Sequence, residues 1–274
     1  MKQIHALLLT MGFFGAAHLS AQVFMVDFGP TIASGADRTN SPYHAVNPAF
    51  TGNTWNSVVN GNDVAAGALL YADLSSASGV SINLGVERTL TPGAVDFSNV
   101  GGSQPGGWNT LGTAANTGVF SGNSVGKDAL IAQSLPTTAT HRAVGAQING
   151  LAAGAYEVYV VGWNTNIMDD PHTLYVTTGT PNTILNYTFL LGQTVTNNFV
   201  DSWGGGSNYA VFTVNLNGGE ALSVMSSSID DVNLNSFLNM IQIVPVTIPE
   251  PKIVTLLFGA GLLLVVAQWR RVRI

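Results

Sequence analysis

The chain predicts an all-β fold: a β-sandwich of jelly-roll type, flanked by an N-terminal signal peptide and one C-terminal transmembrane helix. Three observations lead there. The middle of the chain is rich in Gly, Ser, Thr and Asn and sparse in charge, a mix that suits short strands joined by tight turns. Its apolar residues recur with period two over short runs, and no long amphipathic helix or fixed-period repeat intervenes. Both ends are instead apolar runs next to basic residues. The expected organisation is a signal peptide over 1–21, an exported β body over 22–246 and a sorting segment over 247–274.

At the N terminus, Lys2 supplies a positive charge and Ala6 to Ala17 is apolar apart from Thr10. Leu19-Ser20-Ala21 then offers small residues for cleavage. Charge, apolar run and cleavage site in that order are the marks of a secretory signal peptide, removed by signal peptidase.

The body is expected to begin with a strand over Val23 to Phe28, ended by the Gly29-Pro30 turn. Ala68 to Tyr71 and Val80 to Val86 are further strand candidates. In the second, Val80, Ile82, Leu84 and Val86 share one face, as in a half-buried strand. Val144 to Ile148 and Tyr156 to Val161 read as a hairpin around Gly150. Tyr209 to Leu216 and Ala221 to Met225 read as a second, around Asn217-Gly218. Phe237 to Val246 reads as the last strand. The one helical candidate is Lys127 to Leu135, stopped by Pro136.

At the C terminus, Pro249, Glu250 and Pro251 precede an uncharged apolar stretch, Ile253 to Ala267. Trp269 follows, and Arg270, Arg271 and Arg273 close the chain. As a helix, Ile253 to Trp269 would rise about 25 Å, slightly short of a ~30 Å hydrocarbon core. Snorkelling arginines and an interfacial tryptophan make up that difference, and the arginines belong on the cytoplasmic side. The two prolines keep the preceding motif extended. The competing reading is a plain single-span anchor.

Taken together, the proline motif, apolar helix, terminal Arg cluster and signal peptide resemble the PEP-CTERM sorting signal of Gram-negative bacteria. The resemblance implies a transient inner-membrane anchor with the body in the periplasm. It also implies processing near Pro249-Glu250-Pro251 by the membrane protease exosortase, then delivery to the cell surface or an exopolysaccharide matrix. Scattered pieces of the body are similar to galactose-binding-like jelly rolls found before such signals. They are Asp27-Phe28-Gly29, Trp55-Asn56, Ile148-Asn149-Gly150-Leu151 with Tyr156 to Val161, and Leu238 to Ile243.

Between Gln22 and Ile248 four basic residues face fourteen acidic ones, a net charge of −10. Phosphate recognition requires clustered Lys and Arg, so nucleic acid is excluded as a partner. There is no cysteine, so no disulfide staples the fold, and a structural Ca²⁺ is one expected source of stability. Asp169 and Asp170, beside His172, are the candidate ligands, with Asp230-Asp231 a second acidic pair. His44, His141 and His172 lack the close spacing of a zinc site.

Gly122-Asn123-Ser124-Val125-Gly126 fits the G-x-S-x-G pattern of serine esterases. That chemistry needs a strand–turn–helix setting, and the chain lacks the alternating strands and helices that provide it. The body is therefore expected to be non-enzymatic, with an esterase at Ser124 as the alternative. Trp108 and Trp203, each beside a Gly-rich loop, are the expected stacking platforms for a sugar ring. Trp55 and Trp163 are candidates for the same role or for the core. The function expected is association with extracellular polysaccharide, with a discrete carbohydrate-binding module as the alternative.

Overall fold

A computed structural model describes residues 22–246 except 33–34, 53, 88–91, 99–107, 112–117, 133–142, 165–168, 199–200 and 230–234. The expected signal peptide, PEP motif, transmembrane helix and Arg tail all lie outside the described residues. Among the described residues, no helix is long and apolar enough to cross a membrane.

Strands dominate. In chain order they are β1 (Phe24–Phe28), β2 (Asn56–Val58), β3 (Ser81–Glu87), β4 (Ala94–Asp96), β5 (Trp108–Leu111), β6 (Ala129–Ala132), β7 (Val144–Asn149) and β8 (Gly154–Val161). Then come β9 (His172–Gly179), β10 (Ile184–Asn186), β11 (Gln193–Val195), β12 (Ala210–Leu216), β13 (Ala221–Ser228), β14 (Ser236–Leu238) and β15 (Met240–Pro245). Among the described residues one short helix, α1 (Pro42–Val46), and two 3₁₀ turns accompany them.

The strands form a sandwich. A five-stranded sheet runs β12-β8-β15-β1-β2, and a seven-stranded sheet runs β10-β4-β3-β7-β13-β9-β11. A small third sheet, β14-β6-β5, adjoins them. All pairings are antiparallel except β1 with β2. The main core lies between the two large sheets, where Phe24, Val26, Ile241 and Val158 meet Ile82, Leu84, Ala146 and Val224. Because side chains alternate along a strand, each sheet has a second face. That face is covered too, which is why β3 and β13 are buried along almost their whole length.

The strands expected at Val23 to Phe28 and Val80 to Val86 are present as β1 and β3. Four other expectations are corrected. First, the two hairpins are not hairpins. β7 pairs with β3 and β13, whereas β8 pairs with β12 and β15 in the other sheet. The Gly150 turn thus carries the chain from one layer to the other. Tyr156 fastens this corner by donating its hydroxyl to the Ala152 carbonyl at 2.6 Å. The Asn217-Gly218 turn likewise joins β12 and β13 across layers. Turn residues encode a reversal of direction; free ladder positions decide which strand is the neighbour.

Second, Lys127 to Leu135 is not helical in its described part, which contains β6. Leu130 and Ala132 enter the main core, while Ala129 and Ile131 pack on Phe237. A short strand apolar on both faces has no periodicity to distinguish it from a buried helical turn. Third, Ala68 to Tyr71 forms only an isolated bridge, Leu70 to Ser76. The side-chain amide of Asn56 takes the place of a strand here: it donates to the Leu70 carbonyl and accepts from the Leu70 N–H, both at 2.8 Å. Fourth, the last strand breaks at Asn239, so that β14 joins the third sheet and β15 the five-stranded one.

Gly150 has φ +79, and a Cβ there would lie 1.9 Å from the Gly79 carbonyl oxygen. Backbone cannot yield as a flexible side chain can, so Gly150→Ala is expected to cost at least ~2 kcal/mol, read as a lower urea midpoint with unchanged slope.

Candidate functional site

The outer face of the five-stranded sheet presents two rows of side chains. Met25, Gln242, Tyr159 and Val211 form one; Asp27, Met240 and Val161 form the next. Over them lie the 3₁₀ turn Gly35–Thr39, α1, residues 118–128, Trp163 and the 203–209 loop.

Gln242 is fully buried and aligns this cover. Its amide donates to Ser41 Oγ at 3.0 Å and accepts from the Tyr43 N–H at 3.0 Å. Ser41 is also the N-cap of α1, with Pro42 at the start of the helix. One buried amide thereby fixes the first turn of α1 and with it the Tyr43 ring. The His44 Nδ1–H donates to the Phe50 carbonyl at 2.6 Å. Trp55 Nε1 donates to the Arg38 carbonyl at 2.9 Å.

A continuous run of aromatic contacts crosses the cover. Phe50 meets Tyr43 at 4.8 Å between ring centroids, Tyr43 meets Tyr159 at 5.5 Å, and Tyr159 meets Tyr209 at 6.0 Å. Trp203 follows, 6.4 Å from Tyr209 and 5.5 Å from Phe120, which stands 5.0 Å from Trp163. Phe120 and Trp163 are fully buried, whereas Phe50, Tyr43 and Trp203 are half-exposed. The run therefore approaches the surface at its Phe50–Tyr43 end and again at Trp203, and ends in the core at Trp163.

Trp203 is held from three sides. Its Nε1–H donates to Asn40 Oδ1 at 2.9 Å, and Phe120 and Tyr209 contact it edge-on. Asn40 in turn donates to the Val119 carbonyl. Buried Asn208 pins the loop, accepting from the Gly204 N–H at 2.9 Å and donating to the Ser202 carbonyl at 3.1 Å. The indole is thus set in place by the fold, and a ligand would pay little conformational entropy to meet it. Directional polar groups stand along the run: Asn40 at Trp203, Asn47, whose amide donates to the Tyr43 hydroxyl at 3.1 Å, and Glu157, which accepts from the Tyr159 hydroxyl at 3.0 Å. Burial first, and then the Glu157 carboxylate, push the Tyr159 phenol far above its ordinary range, so it stays a hydrogen-bond donor.

The residues expected from sequence fall in different places. Trp203 sits within the aromatic run, partly buried between Tyr209 and Phe120. Trp55 and Trp163 are buried beneath it. Trp108 starts β5, and its side chain lies outside the described part of the structure. Asp169 is exposed with φ +56, while Asp170 is fully buried, so the two do not share a face. Asp230, Asp231 and His141 lie outside the described residues. Among those described, no cluster of three or more carboxylate or imidazole groups could hold a metal ion.

Ser124 is buried, and both its hydroxyl and its N–H donate to the Asp37 carboxylate at 3.0 Å. The G-x-S-x-G segment follows a 3₁₀ turn and leads into β6, not from a strand into a helix. His172 is buried, its Nδ1–H donating to the Asp170 carbonyl at 2.9 Å and its ring edge-on to Phe237 at 5.6 Å.

Two carboxylates lie under the cover. Asp27 accepts the Gly126 N–H at 2.8 Å, and Asp128 accepts the Thr31 N–H at 2.7 Å. The second oxygen of each is buried without a hydrogen-bond partner among the described residues. Burial raises the Asp27 carboxyl well above the ordinary carboxylate range; Asp128 raises it further and the Gly126 N–H offsets part of this. A carboxyl raised in the folded state contributes fully below its unfolded value, and that contribution is lost as pH rises through the folded one. Asp27→Asn keeps an acceptor for Gly126 without the charge. It is expected to match the parent in thermal midpoint near pH 4 and to exceed it near pH 8, giving a flatter profile.

No protein-family model matches the chain, and no curated protein does. Solved structures match in part. The isomalto-dextranase of Arthrobacter globiformis T6, solved with panose, is 14% identical over 60% of this chain and 23% of its own, with a TM-score of 0.31. A carbohydrate-binding module, TmCBM61, solved with β-1,4-galactotriose, is 9% identical over 60% of this chain and 88% of its own, TM-score 0.29. The K2 cleaved adhesin domain of Lys-gingipain is 17% identical over 55% of this chain and 86% of its own, TM-score 0.26. This chain thus spans under a quarter of the isomalto-dextranase.

Proposed function

We propose that this chain is an exported, surface-associated protein whose β body is a galactose-binding-like jelly roll that binds polysaccharide without cleaving it. The observation that carries this reading is Trp203. It is a partly buried indole braced by Asn40, Phe120 and Tyr209, in an aromatic run that also carries the Asn47 amide at Tyr43 and the Glu157 carboxylate at Tyr159. Sugar rings offer an apolar C–H face and hydroxyls around the edge. An aromatic plate flanked by amides matches both. The charge balance between Gln22 and Ile248 disfavours polyanions, so the ligand class is neutral glycan. A glycan array probed with the Gln22 to Val246 body, with and without Ca²⁺, tests this. Binding to neutral glycans is expected, and Trp203→Ala should weaken it about tenfold; because the indole also packs on Phe120 and Tyr209, the thermal midpoint should fall while unfolding stays cooperative, and affinity is read below that midpoint. Uniformly flat arrays would refute the reading.

Delivery rests on the two ends of the sequence. The basic, apolar N terminus directs export, and Pro249-Glu250-Pro251, the apolar run and Arg270, Arg271 and Arg273 form a temporary anchor processed by exosortase. Deleting 270–274 is expected to leave unprocessed protein in the inner membrane on fractionation. Normal surface release of the truncated chain would count against this.

A further inference from the structure

The outer face of the seven-stranded sheet has a cover of its own. β10 and β11 lie at opposite edges of that sheet, so the six residues between them, Tyr187 to Gly192, form a strap from one edge to the other. Two strap residues point inward. Tyr187 donates its hydroxyl to buried Glu87 at 2.6 Å, and its ring meets Tyr175 at 5.2 Å; Leu190 packs on the cluster of Val95, Phe97 and Met225. The strap is also braced by its own backbone. Asn186 Oδ1 accepts from the Thr188 N–H at 3.0 Å and its hydroxyl at 2.7 Å, and the Leu190 N–H donates to the Tyr187 carbonyl at 3.0 Å.

The alternate residues, Phe189 and Leu191, point the other way and are 87% and 94% exposed. Ile184, on the adjoining strand, is 51% exposed. A large apolar side chain held rigidly in water is unfavourable unless something covers it, and two side by side form a patch. The patch is also neutral: residues 171–200 contain no Asp, Glu, Lys or Arg, in a body carrying −10.

We propose that this strap is a self-association surface, with Phe189 and Leu191 of one copy packing on those of a second copy of this chain. Charge selects the partner. Two such acidic bodies repel wherever their carboxylates face each other, and a charge-free strap is where they can meet without that cost. A self-complementary patch of this kind closes as a two-fold pair. Two side chains of this size bury roughly 300–400 Å² per partner, about half of what a stable dimer uses, so the contact is reversible. It gains weight when many copies are held close together on one surface or polymer. Glycan binding is not required for it.

The absence of cysteine makes the test direct in the full chain, held in non-ionic detergent. Leu191→Cys places the sole thiol on the patch, and Ser121→Cys places it on an exposed turn in the cover of the other sheet. Under mild oxidation the Leu191→Cys protein is expected to form disulfide dimers. Adding Phe189→Ser should lower their yield about fivefold, and Ser121→Cys should form few. Absence of dimers from Leu191→Cys, or equal yields from both positions, would overturn the proposal. The same thiol carrying a polarity-sensitive dye distinguishes lipid. A blue shift that grows with protein concentration supports self-association. One already present at high dilution in the detergent and unchanged by protein concentration assigns the patch to a lipid-like phase and rejects the second copy.

Discussion

Asn239 commits each of its polar groups to another part of the chain. Its backbone N–H donates to Val161 and its carbonyl accepts from Phe28, tying β15 to β8 and β1. Its side-chain oxygen accepts the Trp163 N–H at 2.7 Å, and its amide donates to the carbonyls of Gly126 and Asp128 at 3.0 and 3.1 Å. The residue is fully buried, so none of these groups could turn to water instead. The break between β14 and β15 falls here, where the chain passes from one sheet to the other while the Asn239 backbone stays paired to β8 and β1. Its side chain supplies hydrogen bonds to backbone that has no ladder, at Trp163, Gly126 and Asp128. The aromatic cover of the five-stranded sheet depends on that side chain, since Trp163 and the 126–128 segment are both anchored to it.

The same device recurs. Asn56 serves as a strand for Leu70, Gln242 seats α1, and Glu87 closes the far side by accepting from Gly93, Ala143 and Tyr187. Every one of these is buried and polar. A sandwich covered on both outer faces must bury irregular backbone under its covers, and irregular backbone has no ladder to satisfy it. Side-chain amides and carboxylates do that work. The Gly85–Gly145 pair shows the steric counterpart: Phe97 lies over both, and a Cβ at Gly85 would come within 2.5 Å of its ring.

This explains what the sequence makes legible. Strand positions follow from local alternation, so β1, β3, β7, β8, β12 and β13 could be read directly. Turn residues at Gly150 and Asn217-Gly218 could be read as reversals. Strand partners could not, because they depend on which ladder positions other segments leave free. The site divides in the same way. Trp203 beside a triple glycine stands out, but Tyr43, Phe120 and Tyr209 are scattered along the chain and join only through the fold. One local signal does exist: Tyr156 to Val161 carries apolar residues on both faces, with Glu157 its one charged member, and such a strand requires a cover over each. The pairing of Asp27 with the 126–128 loop leaves no local trace at all.

The two covers differ in a way that bears on their use. The partly buried Trp203 ring is bordered by Asn40, and Asn47 and Glu157 stand farther along the aromatic run at Tyr43 and Tyr159, groups whose hydrogen bonds have direction and can select among arrangements of hydroxyls. Around Phe189 and Leu191 the neighbouring polar groups are already paired with one another, Asn186 with Thr188 at the surface and Tyr187 with buried Glu87. A hydroxylated ring laid on the strap would lose water from its hydroxyls and find few partners in return. An apolar surface loses nothing of that kind. The chemistry therefore separates the faces: the tryptophan side suits a polar ligand with one apolar flank, and the strap suits a partner as apolar as itself. One body can carry both because the sandwich holds them on opposite outer faces, where occupying one does not obstruct the other.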